Sequence, residues 1–123
     1  MPNSLVFHAN KQGHVVLEGV VNGAPVRFLV DTGATAVALT MRDAEAAGIS
    51  RGSLNFSMRT STANGVGHAA PVSLREVRIG QLAVDDVRAT VLENLNISLL
   101  GQSFLTRLDS YEMRDGVLTL NYW

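Results

Sequence analysis

The sequence predicts an all-β fold, a small closed or sandwich-like β domain with one or two short helices. Three observations predict it: short apolar, β-branched runs recur along the chain, glycine-containing turn signals separate them, and the helix-like patterns span about two turns or fewer. Of the 123 residues, 46% are apolar, which is enough for one small core. We therefore expect residues 1–123 to form a single domain.

The first three strands flank a tight turn and a polar loop. Residues 14–21 and 25–30 are apolar and rich in β-branched side chains. Between them lies Asn22-Gly23, in which both residues tolerate positive φ, so we expect a hairpin. A third short strand, residues 36–39, follows the polar loop that begins at Asp31.

A single helix of about two turns is expected after these strands. Thr40 is a good N-cap, Asp43 three residues later approximates a capping box, and Gly48 supplies the stop. The intervening residues, 41–47, are rich in alanine, the best helix former. This helix interrupts an otherwise β chain.

The second half of the chain predicts ribbons and hairpins with one short helical turn. In order, the expected elements are long β ribbons over residues 54–92 with a polar tip at 61–67, a hairpin around Gly80-Gln81, a strand ending in Leu99-Leu100-Gly101, a short helix over residues 102–107, and a hairpin at Arg114-Asp115-Gly116.

The composition argues against several function classes. The formal net charge is -1 and the chain has no basic cluster, so the sequence does not predict a surface that binds nucleic acid. The chain has no cysteine, which excludes a disulfide framework and a thiol nucleophile, and its three histidines show no ligand spacing. We therefore expect no cofactor, no metal and no nucleic-acid partner.

The sequence leaves the cellular compartment open. No apolar stretch approaches the ~18 residues that a membrane-spanning helix needs. A membrane anchor is expected only if a preceding segment has been removed. In that case the protein is periplasmic or membrane-anchored, and otherwise it is cytoplasmic.

One ionisable group stands directly at the end of an apolar strand. The run Phe28-Leu29-Val30 leads straight into Asp31-Thr32-Gly33-Ala34. A carboxylate in that place is costly unless it is hydrogen-bonded or chemically used, and we expect the glycine because the turn is tight. Asp31 is thus the main candidate catalytic residue. The plain alternative is a loop of a non-catalytic β domain, since aspartate and glycine are common in turns.

This run resembles the active-site loop of the retropepsin-like aspartic proteases. Three further features follow the order of that family: the hairpin at Asn22-Gly23, a flap-like tip at residues 61–67, and Leu99-Leu100-Gly101 before a short helix. The resemblance covers about residues 14–108 and is greatest to the bacterial single-domain branch. It implies a closed, barrel-like acid protease fold with one lobe per chain.

The resemblance also implies roles for individual residues. Asp31 would be a general base in one subunit and a general acid in the other. Thr32 would hydrogen-bond across a two-fold axis, and Gly33 would let a substrate backbone approach closely. The substrate-binding positions that the resemblance implies are Leu29, Ala34, Asn64, Gly65, Ile97 and Leu99. Leu29, Ile97 and Leu99 are equally well explained as core residues.

The mechanism that the motif suggests needs two carboxylates, one ionised and one protonated. The chain supplies one Asp-Thr-Gly run, so catalysis on a polypeptide would require a C2 homodimer with Asp31 from each copy. Two other interpretations of the function stay open. One is a catalytically silent dimer that serves as a peptide-binding or interaction module, and the other is an unrelated monomeric β domain.

The chain departs from the retroviral pattern at two places. Retroviral members often carry an aspartate after Asp-Thr-Gly-Ala and an arginine after the later glycine, where this chain has Thr35 and Gln102. Because both charges are missing together, we expect these two side chains to form a neutral polar contact. The chain also continues through residues 111–123, which form either part of a dimer sheet or a cover for the domain.

Overall fold

Ten strands and two short α-helices form within residues 3–62 and 65–123, the residues that the computed structural model describes. The strands are β1 (Asn3–His8), β2 (Val16–Val21), β3 (Ala24–Val30), β4 (Val37–Thr40), β5 (Met58–Thr62), β6 (Gly65–Ile79), β7 (Leu82–Leu92), β8 (Ser98–Leu100), β9 (Ser110–Arg114) and β10 (Val117–Tyr122). The helices are α1 (Met41–Ala46) and α2 (Gln102–Leu105), with one 3₁₀ turn at Arg51–Ser53. Within these described ranges, no helix is long and apolar enough to cross a membrane.

Six strands close into a barrel in the order β2-β3-β8-β4-β7-β6, which confirms the predicted all-β class. The barrel closes where Val20 and Val21 of β2 pair with Arg78 and Val77 of β6. The pairs β3–β8 and β4–β7 are parallel. The largest side chains that are fully buried include Phe28, Leu39, Leu74, Ile79, Leu82, Leu100 and Phe104. Strand β5 extends the sheet beyond β6 and forms a hairpin with its first residues.

Three hairpin turns lie where the sequence predicts them. Asn22 and Gly23 both have positive φ, 50° and 87°, which is the geometry that suits the twist of paired strands. Asp115 and Gly116 repeat it at 51° and 74° between β9 and β10. Gly80, at φ 59°, turns β6 into β7.

Thr40 caps α1, as predicted, but a distant serine completes the cap. The Thr40 Oγ1 accepts a hydrogen bond from the Asp43 N–H at 3.0 Å. The aspartate side chain is one methylene shorter than the glutamate of a standard capping box, and it does not bond back to Thr40 directly. Instead, the Ser98 hydroxyl accepts from the Thr40 N–H at 3.1 Å and donates to the Asp43 Oδ2 at 2.6 Å. This buried bridge ties β8 to α1, and the sequence alone did not predict it.

We expect Ser98→Ala to lower the free energy of unfolding by about 1–3 kcal/mol, because it leaves the buried Asp43 carboxylate without this donor. The matched control is Ser73→Ala on the exposed face of β6, expected to stay within about 0.5 kcal/mol of the wild type. Urea unfolding of both variants measures the difference. Equal midpoints would show that the bridge contributes nothing to stability.

A second sheet, in the order β1-β10-β9, covers one side of the domain. Alternate residues of β10, Leu118, Leu120 and Tyr122, are buried in the core, so one face of this sheet packs inward. The C-terminal hairpin therefore covers its own domain. Strand β1 was not predicted, since its position depends on pairing with β10 at the other end of the chain.

Helix α2 is shorter than the predicted span of residues 102–107. It ends at Leu105, and the Arg107 N–H bonds to the Phe104 carbonyl at 3.0 Å in a tighter turn. The Arg107 guanidinium donates to the Asp85 and Asp86 carbonyls at 3.0 and 3.2 Å. These contacts fix the chain against β7 as it leaves the helix.

Candidate active site

Asp31 lies directly after β3, where the barrel opens. Its N–H donates to the Leu100 carbonyl of β8 at 3.1 Å, and its own carbonyl accepts from the Ala34 N–H at 3.2 Å. The side chain is partly exposed. The strand thus delivers the carboxylate to the surface of a cleft while the backbone stays anchored to the neighbouring strand.

The Asp31 carboxylate is oriented by its own loop. The Gly33 N–H donates to Oδ1 at 2.9 Å, a local turn typical of aspartate. The expectation that the turn requires glycine is wrong. Gly33 is not among the residues with positive φ, and an added Cβ would meet only Oδ1, at 3.4 Å. What the glycine provides is open space on the cleft side of the loop.

Gly101 supports the loop from behind by direct backbone contact. A Cβ at this position would lie 2.4 Å from the Ala36 carbonyl oxygen and 2.8 Å from that of Ala34. The next residue, Gln102, donates its N–H to the Ala34 carbonyl at 2.8 Å. Glycine is needed here for close approach, and its φ is not in the left-handed region.

The side chain of Gln102 holds the loop carbonyl, and it does not contact Thr35 as expected. Its Nε2 donates to the Thr32 carbonyl at 2.7 Å and to the Tyr111 hydroxyl at 2.9 Å. Both N–H groups of the amide are therefore in use. The prediction of a Thr35–Gln102 contact is wrong: the partners of the Gln102 side chain are the Thr32 carbonyl and the Tyr111 hydroxyl of β9.

Ser103 fixes the far end of the same loop. Its hydroxyl accepts from the Val37 N–H at 2.8 Å and donates to the Arg88 carbonyl at 2.6 Å. It thereby joins the start of β4, helix α2 and strand β7. Together with Gly101 and Gln102, it makes the beginning of α2 a rigid support for residues 31–36.

Asp31 faces a cleft of about 980 Å³ between the loop, the β5–β6 hairpin and the β7–β8 connection. Its floor is apolar, because Leu29 and Leu99 pair side by side in the parallel β3–β8 ladder. Their neighbours Phe28, Ser98 and Leu100 point into the buried core. The alternation of the two strands thus separates the cleft face from the core face.

The cleft brings together most of the predicted site residues. Those that line it are Leu29, Asp31, Gly33, Ala34, Ile97 and Leu99. Thr32 is exposed at the edge of the loop and does not line the cleft. Gly65 begins β6 opposite Thr62, and Asn64 lies outside the described residues.

Sequence reasoning missed the charged groups of the cleft. Arg59 and His68 lie opposite each other in the β5–β6 hairpin, and both line the cleft. Glu93 lines it too, and its carboxylate pairs with Arg51 at 3.3 Å. Glu93 could have been predicted as a cleft residue from its position between two expected strands, because connections between strands commonly carry site residues.

The acidic residues that line the cleft, within the described part of the chain, are Asp31 and Glu93. Glu93 forms an exposed ion pair with Arg51, whereas the Asp31 carboxylate accepts a hydrogen bond from the Gly33 N–H. Three features together are typical of one class of protein: the position of Asp31 at the end of β3, its orientation by a backbone N–H, and the hairpin over the cleft. The fold is that of a retropepsin-like aspartic protease.

Comparison with known proteins gives the family. Residues 17–107 match the family described as "gag-polyprotein putative aspartyl protease", and the chain belongs to this family. The structure of a retropepsin-like aspartic protease from Rickettsia conorii superposes with a TM-score of 0.89 at 36% identity, covering 99% of this chain and 92% of that one. The EIAV protease, complexed with the inhibitor HBY-793, superposes with a TM-score of 0.68 at 18% identity over 85% of this chain and 97% of its own, which shows the shared fold.

The curated relatives are longer proteins. One from a Sinorhizobium species, described as an uncharacterized protein in the cobV 5′ region, is 44% identical over 94% of this chain and 51% of its own length. The chain spans about half the length of the curated relatives that it matches.

Proposed function

We propose that residues 1–123 form one lobe of a homodimeric aspartic endopeptidase. The observation that carries this proposal is the placement of Asp31. One carboxylate, oriented by the Gly33 N–H, faces a peptide-sized cleft at the end of β3. Since water activation of this kind takes a pair of carboxylates, the second would come from Asp31 of another copy.

The chemistry follows from placing two carboxylates on one axis. Like charges so close do not both ionise, so one carboxylate is ionised and the other keeps its proton. The ionised carboxylate takes a proton from water, whose oxygen adds to the peptide carbonyl carbon while the other carboxyl protonates the carbonyl oxygen. The C–N bond then breaks as the amine nitrogen receives a proton.

The walls of the cleft suggest how a polypeptide would bind. Leu29, Ile97 and Leu99 offer apolar contacts to substrate side chains beside the reacting bond. The β5–β6 hairpin, in which Gly65 pairs with Thr62, would act as a flap that covers the peptide and excludes water. Gly33 leaves room for the peptide backbone next to the carboxylate, and Thr32 would meet its counterpart across the axis.

A dilution experiment tests the requirement for two copies. We expect cleavage of an unfolded protein, assayed between about pH 3 and pH 7, to fall more steeply than protein concentration below the dimer dissociation constant. Sedimentation equilibrium on the same samples gives the fraction of dimer, and specific activity should follow that fraction. A monomer with constant specific activity would contradict the proposal, and a dimer that binds peptide without cleaving it would support a silent binding module instead.

A further inference from the structure

The C-terminal hairpin is connected to Asp31 by a chain of three hydrogen bonds. The Gln102 amide donates to the Tyr111 hydroxyl at 2.9 Å and to the Thr32 carbonyl at 2.7 Å. That carbonyl and the Gly33 N–H belong to the same peptide group. The Gly33 N–H in turn donates to the Asp31 Oδ1 at 2.9 Å. We call Tyr111, Gln102 and the Thr32–Gly33 peptide the loop relay.

We propose that Gln102 and Tyr111 are positioning residues, which orient the Asp31 carboxylate through the Thr32–Gly33 peptide. This inference rests on the proposed function and goes beyond it, since it gives the C-terminal hairpin a part in the chemistry. Neither side chain touches the cleft, so their effect passes through the peptide.

The donor pattern leaves one arrangement for the amide. The Thr32 carbonyl can only accept a hydrogen bond, so the nitrogen of the Gln102 amide faces it. The second N–H of that nitrogen goes to the Tyr111 oxygen. The phenol therefore fixes the rotation of the amide, which would otherwise be free to turn away from the loop.

Both ends of the relay are anchored in rigid parts of the fold. Gln102 is the first residue of α2, and its main-chain N–H is bound to the Ala34 carbonyl at 2.8 Å. Tyr111 pairs with the buried Leu120 in the β9–β10 ladder and packs partly against the core. The loop is thus held between two elements that are themselves fixed.

The peptide group transmits the effect electronically as well as sterically. A hydrogen bond to a carbonyl polarises the amide, which makes its N–H a better donor. The Gln102 contact therefore fixes the peptide plane and strengthens the bond from the Gly33 N–H to Asp31. Because both relay side chains are neutral, they place no additional charge beside the carboxylate.

Enzyme kinetics on the full chain test the relay. At saturating dimer concentration we expect Gln102→Leu to lower kcat about tenfold and Tyr111→Phe about threefold, with KM within about twofold of the wild type. The double variant should be no worse than Gln102→Leu, because the phenol acts only through the amide. The matched control is Tyr122→Phe, a buried tyrosine on the adjacent strand that is not part of the relay, and it should leave kcat unchanged.

The amide resonance of Gly33 provides a readout that does not depend on catalysis. In ¹H–¹⁵N spectra, the Gly33 proton should move upfield in Gln102→Leu, less so in Tyr111→Phe, and not at all in Tyr122→Phe. Tyr111→Phe removes a single oxygen, so it keeps the test valid even if Gln102→Leu folds poorly.

The two readouts separate failure of the relay from failure of the proposed function. A Gly33 resonance that stays in place in both relay variants overturns the relay, whether or not the protein cleaves peptides. The relay is also overturned if the enzyme is active and its kcat is unchanged in those variants. The same holds if the double variant shows the product of the two single-variant effects on kcat. If the wild type cleaves nothing, the proposed function fails alone, and the Gly33 resonance decides the relay.

Discussion

Asp31→Asn is expected to lower kcat/KM for an unfolded protein substrate by at least about a hundredfold, and up to about 10⁴-fold. Asparagine has nearly the same shape and can still accept the Gly33 N–H through Oδ1, so the loop should keep its conformation. It cannot take a proton from water, which removes the general base from both copies. The measurement is steady-state cleavage between about pH 3 and pH 7.

The control for this variant removes a carboxylate elsewhere. Asp115 lies in the β9–β10 turn at φ 51°, a conformation that asparagine tolerates, so Asp115→Asn should fold and cleave as the wild type does. Undiminished cleavage by Asp31→Asn would falsify the assignment of Asp31 as the catalytic carboxylate.

Mixing experiments extend this test to the dimer. Excess Asp31→Asn protein should suppress the activity of a fixed amount of wild type, because mixed dimers contain one carboxylate and not two. Suppression should require exchange of subunits between dimers, and this exchange can be measured with labelled chains. If the added variant does not change the activity, the active site would be complete within one chain.

Gly101→Ala is expected to destabilise the fold by about 3 kcal/mol or more. The added Cβ would lie 2.4 Å from the Ala36 carbonyl oxygen. The backbone fixes the position of a Cβ, and the oxygen belongs to the main chain, so neither atom can rotate away. Relief would require the loop over residues 31–36 to separate from α2. Cleavage activity should therefore be lost together with stability.

Urea unfolding measures this effect against a matched glycine. Gly52, in the 3₁₀ turn, has no heavy atom within 4 Å of an added Cβ and is not among the residues with positive φ. Gly52→Ala should stay within about 0.5 kcal/mol of the wild type. If Gly101→Ala unfolds at the same urea concentration as Gly52→Ala, the contact between Gly101 and the loop is looser than described.

Local signals predicted the parts of the fold that depend on a few consecutive residues. The pairs Asn22-Gly23 and Asp115-Gly116 adopt the positive φ values that their residue types favour. Thr40 caps its helix through a residue only three positions away. In each case the energy that selects the structure comes from the segment itself.

Partners distant in sequence were not predictable in the same way. Gln102 was recognised as unusual, but its hydrogen-bond partner was misassigned because the Thr32 carbonyl lies 70 residues away. Ser98 completes the cap of α1 from 58 residues away. Nothing in the local residue types indicates which strand will bring such groups together.

The sequence by itself determined that this protein has one Asp-Thr-Gly run at the end of an apolar strand, and hence one candidate carboxylate per chain. The tertiary structure decided what surrounds that carboxylate: the cleft beside it, the Gly101 backbone behind its loop, and the link through Gln102 to Tyr111. The physical reason is that turn preferences act over a few residues, whereas the contacts of the loop depend on strand register. That register is settled only when the barrel closes and the last strands pack against it.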